Sequence, residues 1–202
     1  LRQQVLLFDA SSSLAVRYRS GSLASQGEAS VLSFDAVHIL DACQGAAIVT
    51  DNIDLADRLR CMRSSGGIQR RVKVKRTVNG RMSEAQAAQA LVLLNDLPSL
   101  IARNHRQFNH YRETLRCSQG IAWLSGFGVE ETNNEQVVIE FRSSDAMLQL
   151  EALCIERSLI LPSLFEGPVY LDTLEVYKAR EALQASVLAL PLGEDVDDDD
   201  IQ

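Results

Sequence analysis

The residues able to do chemistry are concentrated in one stretch, Glu28–Thr50. Two short apolar runs within it, Ala29–Phe34 and Ala46–Thr50, are predicted to be strands inside a sheet that is covered on both faces. The loop between them, Ser33–Gly45, holds the only candidate for active-site chemistry that the sequence shows, and His38 lies near its centre. Because an imidazole titrates near neutrality, a histidine in such a loop is suited to proton transfer.

Another strand is also predicted to end in a functional group. The continuous apolar run Gln4–Asp9 ends in an acid, which predicts a central parallel strand with a functional group at its carboxyl end. Ala10–Ser13 follows directly and supplies small hydroxyl residues, among them Ser12. An acid, hydroxyls and an imidazole are therefore expected at strand ends.

The elements that must position these residues form an α/β layer. After the two strands, Asp51–Arg63 is predicted to be a helix with an apolar face, capped by Asp51 or Asn52 and ended by Gly66 and Gly67. Strand, loop, strand and helix in this order indicate an α/β structure. Residues 68 to 82 are predicted to be irregular.

Two helices are predicted next. Ser83 and Gln86 form a capping box at the start of the run Ala85–Leu97, which is nearly all apolar and is expected to be buried against another helix or a second subunit. Pro98 is predicted to interrupt or kink it, and a more polar helix continues to about Arg116. Its polar face is expected to be solvated, and comprises Arg103, Asn104, Arg106 and Gln107.

A smaller α+β unit begins at Gly120. Strands are predicted around Trp123 and at Gln136–Phe141, a helix at Asp145–Arg157, and another strand at Leu159–Leu161. Residues 172 to 187 are predicted to form an amphipathic helix. The closing aspartate run, residues 197 to 200, is expected to cap or precede a terminal helix.

Composition excludes several functional classes. The 202 residues are 46% hydrophobic and carry a net charge of -7, which is ordinary for a soluble globular protein and argues against nucleic acid or an anionic membrane as the main partner. The short basic cluster Arg70–Arg76 is interpreted as a solvated surface. No apolar run approaches the roughly 20 residues that span a bilayer. No transmembrane segment is therefore predicted.

The cysteines and the remaining histidines do not predict a metal site. Four widely separated cysteines form no CxxC pair, and we interpret them as reduced and mostly buried, as is typical of a cytoplasmic protein. His105 and His110 lie five residues apart on a predicted helix, which is poor spacing for metal ligands. Each is interpreted as a surface or core residue.

Taken together, several motifs resemble one family. They are a strand ending in Asp9-Ala10, the segment SFDAVH from Ser33 to His38, the run AIVTDN, the segment NGRMSEAQAA beginning at Asn79, and the closing ALPL. In order and spacing they are similar to the DegT/DnrJ/EryC1/StrS sugar aminotransferases, which are fold-type I enzymes dependent on pyridoxal phosphate (PLP). The resemblance covers nearly all of the chain. It implies the C-terminal part of that α/β fold.

The resemblance also implies a domain organisation. Residues 1–82 would be the remainder of the large cofactor-binding domain and the end of its sheet, residues 83–118 the connecting helices, and residues 119–202 the small α+β C-terminal domain. Family members have a long portion ahead of the Asp-bearing strand, including a helix start that holds the cofactor phosphate. The chain is therefore expected to begin in the middle of a domain.

Site roles follow from the same resemblance. Asp9 resembles the acid that pairs with the pyridine nitrogen of the cofactor and keeps the ring protonated. Ser33 is similar to the serine that binds the cofactor phosphate, and Asn79 to the asparagine that approaches this phosphate from a neighbouring subunit, so a homodimer is expected. Ser12 stands where the family usually has Gln or His near the ring. The alternative interpretations are a strand-end acid for Asp9, a loop hydroxyl for Ser33 and a turn residue for Asn79.

The main departure from the family is at His38, which occupies the position of the Schiff-base lysine. Only a primary amine can form that bond with the cofactor aldehyde. The three lysines of the sequence all lie outside this loop, at Lys73, Lys75 and Lys178. The family's Gly-Glu-Gly-Gly is replaced by Cys43–Ala46. Ordinary transamination is therefore expected to be lost.

Three functional hypotheses remain open. The first is a PLP- or pyridoxamine-phosphate-dependent enzyme that aminates or deoxygenates nucleotide-linked keto-sugars in cell-surface polysaccharide or secondary-metabolite biosynthesis. Its variant resembles the sugar 3-dehydratases, in which a histidine replaces the lysine and serves as a base. The second hypothesis is a catalytically inactive homologue that acts as a dimerisation or regulatory partner. The third is an α/β segment without a ligand.

Overall fold

The computed structural model describes residues 5–19, 21–64, 73–124, 129–164, 183, 185–194 and 196–201. The chain divides into two compact units: the first comprises Leu1–Ile101 and Gly128–Asn133, and the second comprises Ala102–Phe127 and Asn134–Gln202. The division falls inside one long helix. The division proposed from the sequence, with boundaries at residues 82 and 118, stays a prediction.

The main sheet of the first unit has three strands, β1 (Leu7–Asp9), β4 (Ala29–Ser33) and β5 (Ala46–Val49), in the order β1-β4-β5. β1 is parallel to β4, and β5 is antiparallel to it. The prediction that the first strand is central is therefore wrong within the described residues. β4 is the strand that hydrogen bonds on both sides, whereas β1 lies at an edge.

Burial of this sheet is also uneven. Ala29, Ser30 and Leu32 of β4 are buried, but Ile48 and Val49 of β5 are exposed. The expectation that both strands are covered on both faces is wrong for β5, because apolar composition alone does not distinguish a covered face from an open one. The apolar side chains of Ile48 and Val49 consequently remain on the surface of the first unit.

A second small sheet of the first unit was not predicted. It consists of β2 (Arg17–Tyr18), β3 (Gly21–Ser22) and β7 (Val129–Glu131), all antiparallel and in the order β3-β2-β7. A 3₁₀ turn, Leu23–Ser25, leads from β3 toward β4. This sheet ties residues near position 18 to residues near position 130.

The first helix, α1 (Ile53–Arg63), is where the sequence placed it. Asn52 is its N-cap, because its side-chain oxygen accepts a hydrogen bond from the Leu55 amide at 3.0 Å. Cys61 is buried against the unit. The predicted helix end at Gly66 and Gly67 lies outside the described residues.

The second helix, α2 (Glu84–Thr114), is a single helix of 31 residues. The predicted capping box is present, with the Gln86 amide donating to Ser83 Oγ at 3.2 Å and Gln86 Oε1 accepting from the Ser83 amide at 3.2 Å. The predicted interruption at Pro98 is wrong, and the alternative, a kink there, stays a prediction. A proline removes one amide donor, and the long helical flanks on both sides keep the helix continuous through it.

The apolar run at the start of α2 is only partly buried. Ala90 is buried and Leu93 packs against the core of the first unit, whereas Leu91, Val92 and Leu94 are exposed. The expected contact with another helix or a second subunit stays a prediction.

The second unit is built on β6 (Ile121–Trp123), β8 (Val137–Phe141) and β9 (Val187–Leu190), an antiparallel sheet in the order β6-β8-β9. Helix α3 (Ser144–Glu156) starts and ends within one residue of its prediction. The predicted strand at Leu159–Leu161 is not formed. The amides of Ser158 and Leu159 donate to the carbonyls of Ile155 and Cys154, and Ser158 has a positive φ of 59°, so these bonds cap the end of α3.

The core of the second unit is made of large side chains from these elements and from α2. It contains Tyr111, Val137, Ile139, Phe141, Met147, Leu188, Leu190 and Ile201. Trp123 packs edge-on against Phe108, with ring centroids 5.7 Å apart. β9 was not predicted as a strand. Most of the predicted helix over residues 172 to 187 lies outside the described residues.

The chain closes in the short helix α4 (Asp198–Ile201). The Asp197 carboxylate accepts hydrogen bonds from the amides of Asp199 and Asp200, so the predicted capping by the aspartate run is confirmed. The predicted solvation of the polar face of α2 is wrong for Asn104 and Gln107. Both are buried, and Gln107 bonds to the chain near Gly193.

The four cysteines differ in their burial. All four cysteines are free thiols; Cys61 and Cys154 are buried, whereas Cys43 and Cys117 are exposed, so burial holds for half of them. Desolvation raises the pKa of the buried Cys154 thiol. Among the described residues, no helix combines the length and the apolarity that crossing a membrane requires.

Candidate functional site

Asp9 ends β1 at the carboxyl edge of the main sheet. The Ala10 amide that follows donates to the Val31 carbonyl, which fixes the direction in which the chain leaves the strand. Asp9 Oδ1 accepts hydrogen bonds from Ser11, from its hydroxyl at 2.5 Å and from its amide at 3.2 Å. These two bonds, with a smaller contribution from the charge of His38, hold the Asp9 pKa below its usual 3.8 against slight desolvation. The side chain is therefore a carboxylate at neutral pH.

The loop that carries His38 is anchored at both ends. Its apolar residues Leu40 and Ala42 are completely buried, and the Ala42 amide donates to the Phe34 carbonyl. From α2, Gln89 donates to the Asp41 carbonyl at 3.0 Å. The polar part of the loop is thus held to the unit by apolar anchors.

His38 is held at the turn that opens this loop. The His38 amide donates to the Asp35 carbonyl at 3.0 Å, and the Asp35 amide donates to Ser33 Oγ at 3.2 Å. His38 itself is half-buried. Backbone hydrogen bonds therefore position its imidazole ring at the end of β4.

The imidazole meets the loop that follows β1. His38 Nδ1 and Ser12 Oγ are 3.4 Å apart, a long hydrogen bond whose direction depends on the tautomer of the ring. Asp9 lies close enough for its carboxylate to sense the charge of His38. The structure thus brings together Asp9, Ser12 and His38, three of the five residues that the sequence singled out.

The other two candidates are placed differently. Ser33 is half-buried at the end of β4, and its hydroxyl oxygen already accepts the bond from Asp35. Asn79 is exposed and pairs with Ser64 in an isolated backbone bridge. Within the described residues, no hydrogen bond joins Asn79 to Asp9, Ser12 or His38. Their predicted contacts with a phosphate stay predictions.

Sequence reasoning missed Asn133, which lies beside this group. It is 3% exposed, and its side-chain amide donates to the backbone carbonyls of Ser12 and Leu14. An asparagine of the pair Asn133-Asn134 between β7 and β8 carries no sequence signal for such a role, because the partners of Asn133 lie about 120 positions earlier.

The donor set can be tested against the cofactor that the sequence resemblance implies. An ionised carboxylate at Asp9 fits a protonated pyridine nitrogen, and the hydroxyl of Ser12 and the imidazole of His38 supply hydrogen-bonding and proton-transfer groups beside it. At position 38 an imidazole replaces a primary amine. These residues therefore fit noncovalent binding of the ring of such a cofactor.

Comparison with protein families gives a match over almost the whole chain. The model of the DegT/DnrJ/EryC1/StrS aminotransferase family matches residues 2–202. The chain belongs to this family. The predicted family is thereby confirmed.

Individual members of the DegT/DnrJ/EryC1/StrS family are distant in sequence. The dTDP-4-amino-4,6-dideoxy-D-glucose transaminase of Shigella dysenteriae is 25% identical over 206 residues, which cover 96% of this chain and 55% of that protein. The chain thus spans about half the length of the curated relatives that it matches along most of its sequence.

Solved structures of relatives show the same fold. DesI, determined in the presence of its TDP-sugar product, superposes with a TM-score of 0.80 at 30% identity, over 98% of this chain and 53% of DesI. The GDP-4-keto-6-deoxy-D-mannose-3-dehydratase of E. coli, solved with bound hydrated PLP, gives a TM-score of 0.78 at 17% identity, over 99% of this chain and 59% of that one. The α/β fold therefore corresponds to about half of a fold-type I PLP-dependent sugar aminotransferase.

Proposed function

We propose that this family member acts on a nucleotide-linked keto-sugar with PLP or pyridoxamine phosphate, and that His38 transfers a proton in place of the lost Schiff-base chemistry. The relatives named above support the substrate class, since their names specify dTDP-, TDP- and GDP-linked sugars. The resemblance relates the chain to amination and deoxygenation of the sugar, and the proposal favours deoxygenation because it also holds ordinary transamination to be lost.

The contact between His38 and Ser12, with Asp9 beside it, is the observation that carries the proposal. Hydrogen bonding at Nδ1 orients the imidazole, as a histidine that transfers a proton requires. The arrangement resembles a base with an orienting group.

The cofactor, when bound, supplies an electron sink that stabilises negative charge on the substrate. Asp9 would hold the ring nitrogen through a hydrogen bond, which its lowered pKa favours because the carboxylate stays ionised. Ser12 holds His38, and His38 carries the proton. Ser33 and Asn79 are proposed to bind the phosphate, with Asn79 acting on a second copy of the chain in a homodimer.

Ordinary transamination is proposed to be lost because position 38 lacks a primary amine. The direct test is His38→Lys in the full-length protein, incubated with PLP and reduced with borohydride. We expect a stable mass gain on residue 38 in the variant and none in the parent protein. Covalent PLP on the parent protein would show that another lysine serves, and would overturn this part of the proposal.

Proton transfer is tested by His38→Ala with pyridoxamine phosphate and GDP- or TDP-linked 4-keto-6-deoxy sugars. Loss of a positioned general base is expected to lower turnover by about 100-fold or more. His110→Ala removes the same side chain from the second unit and is the matched control. Turnover that survives in His38→Ala would refute the role of His38.

The second candidate function is a catalytically inactive homologue that acts as a dimerisation or regulatory partner. The exposed apolar residues Leu91, Val92, Ile48 and Val49 of the first unit favour it, because such surfaces mark protein interfaces. Sedimentation of the full-length protein, with and without pyridoxamine phosphate, distinguishes the candidates. Self-association or hetero-association with no cofactor binding at any accessible concentration would favour the inactive partner.

A further inference from the structure

A buried side chain, that of Asn133, hydrogen bonds to the backbone of the loop that contains Ser12. Asn133 Nδ2 donates to the Leu14 carbonyl at 3.0 Å and to the Ser12 carbonyl at 3.3 Å. One amide group thus satisfies two backbone acceptors of the same loop. Asn133 is 3% exposed, so water cannot readily replace these bonds when they are lost.

Backbone hydrogen bonds also shape this loop. It turns twice, with the Ser13 amide donating to the Ala10 carbonyl and the Val16 amide to the Ser13 carbonyl, and Ala15 has a positive φ of 61°. A non-glycine residue in the left-handed region costs of order 1 kcal/mol and persists only when its surroundings hold it there. The Asn133 amide is the side-chain contact that spans both turns.

The same segment also pairs with the strand that leaves the loop. β7 is hydrogen bonded to β2, and Arg17 forms an ion pair with Glu131 at 3.6 Å. This ion pair is exposed and contributes little by itself. The segment Val129–Asn133 therefore follows the loop along its length, and Asn133 is its buried end.

We infer that Asn133 is a positioning residue for His38, acting through Ser12. The amide fixes the Ser12 backbone, and the Ser12 hydroxyl in turn lies 3.4 Å from His38 Nδ1. Because that contact is already long, a small displacement of the loop breaks it. Breaking it removes the contribution of Ser12 to the choice of tautomer. The catalytic consequence rests on the proposed function, whereas the structural coupling does not.

The second unit provides a matched control. Gln107 is buried, and its Nε2 donates to the carbonyls of Gly193 at 2.9 Å and Val196 at 2.7 Å. Removing this amide leaves two backbone acceptors without their donor, as Asn133→Ala does. Gln107→Ala therefore reproduces the chemical loss without touching the His38 loop.

The experiment measures the ring nitrogens of His38 by NMR in the full-length protein labelled with ¹⁵N-histidine, without cofactor. The three histidines of the sequence are assigned by comparison with His38→Ala. We expect two separate nitrogen shifts for His38 in the parent protein, which indicate one tautomer, and loss of that separation in Asn133→Ala and in Ser12→Ala. Gln107→Ala is expected to leave it unchanged.

Unchanged His38 shifts in folded Asn133→Ala, or an equal change in Gln107→Ala, would overturn the inference. If Asn133→Ala does not fold, Asn133→Gln takes its place, because it keeps an amide but moves the donor by one methylene; unchanged shifts there overturn the inference equally. These measurements need no cofactor and no turnover. Their outcome is therefore independent of whether His38 has the proposed activity.

Discussion

The two units bury their apolar residues very differently. In the second unit all four residues of β9 are buried, and the core contains large aliphatic and aromatic side chains such as Ile139, Phe141 and Tyr111. In the first unit three of the four residues of β5 are exposed, and four of the seven buried core residues are alanine. Similar apolar strands are therefore closed in one unit and open in the other.

This difference separates the unit with the larger side chains in its core from the unit that carries the candidate site. The second unit makes a continuous core from its own residues, which is what stabilises a small α+β unit. The first unit carries the Asp9, Ser12 and His38 group but leaves apolar strand and helix faces outward. The candidate site thus lies in the unit that leaves more of its apolar surface exposed.

Two isoleucines provide the strongest test of the comparison. Ile139 of β8 is 1% exposed and Ile48 of β5 is 51% exposed. Ile139→Ala is expected to lower the free energy of unfolding by about 2–5 kcal/mol because it leaves a cavity. Ile48→Ala is expected to change it by less than about 0.5 kcal/mol, as surface substitutions do.

Urea denaturation of the full-length protein measures both values. Far-UV circular dichroism follows both units, and the fluorescence of Trp123, the one tryptophan of these 202 residues, follows the second unit. A loss for Ile48→Ala as large as that for Ile139→Ala would break the comparison. It would show that a second copy or another segment covers β5 in solution.

The units are also expected to respond to opposite extremes of pH. Burial, with smaller effects of Cys154 and Asp200, raises the pKa of Tyr111 from 10.0 to about 12. The neutral phenol, which donates to the Pro191 carbonyl, is thus favoured in the folded state. Stability on the order of 2–3 kcal/mol is present below pH 10 and is lost as the pH rises toward 12.

Alkaline unfolding followed by Trp123 fluorescence tests this prediction, with Tyr111→Phe as the control that cannot ionise. The parent protein should lose stability between pH 10 and 12 relative to the variant. In the first unit, the lowered pKa of Asp9 gives a smaller effect of opposite sign, lost as the pH falls below 3.8. Parallel alkaline curves for parent and Tyr111→Phe would contradict the assignment.

Two glycines with the same backbone conformation sharpen the comparison further. Gly45 in the first unit has φ 134° and Gly193 in the second has φ 133°. A Cβ at Gly45 would lie 2.8 Å from the end of the Met82 side chain, whereas a Cβ at Gly193 meets nothing within 4 Å. Both alanine variants lose about 1–3 kcal/mol to backbone strain, and Gly45→Ala about 1 kcal/mol more for moving Met82.

The double variant Gly45→Ala, Met82→Ala isolates this last contribution. Removing the Met82 side chain should make the additional cost at Gly45 disappear in a double-mutant cycle of unfolding free energies. Equal losses at Gly45 and Gly193 in the single variants would show that packing around the His38 loop is looser than the structure indicates.

The smallest expected effects concern the helix caps. Asn52 caps α1 through its bond to the Leu55 amide, whereas the N-cap of α3, Ser143, makes no side-chain capping bond. Asn52→Ala is expected to cost about 1 kcal/mol, and Ser143→Ala less than about 0.5 kcal/mol. Denaturation midpoints at constant m-value measure both. A larger loss at Ser143 would reverse the expected order.

Local signals explain what could be predicted from the sequence. The caps at Asn52 and Ser83, the periodicity of α1 and α3, and the strands on either side of the His38 loop depend on residues close together in the chain. The failures at Pro98 and at residues 159–161 are also local. At Pro98 the long helical flanks decide the backbone conformation, and at residues 159–161 the hydrogen bonds at the end of α3 do so. In both places they prevail over the propensity of a few residues.

Long-range pairing explains what could not be predicted. β2 and β7 are only two and three residues long, too short to show any periodicity, and they pair across more than 100 positions. Gln107 and Asn133 are buried because distant backbone carbonyls accept their amides. In the candidate site, Asp9 and His38 followed from strand ends and family resemblance, whereas Asn133 had no local signal at all.

The position of Asn133 has a consequence for the order of events during synthesis. Its two acceptors, in the loop after β1, precede it by 121 and 119 residues. The loop can be made early but cannot acquire its amide donor until Asn133 leaves the ribosome, and closing so long a contact is slow compared with forming the helices between. The loop after β1 is therefore among the last parts of the first unit to reach its native geometry.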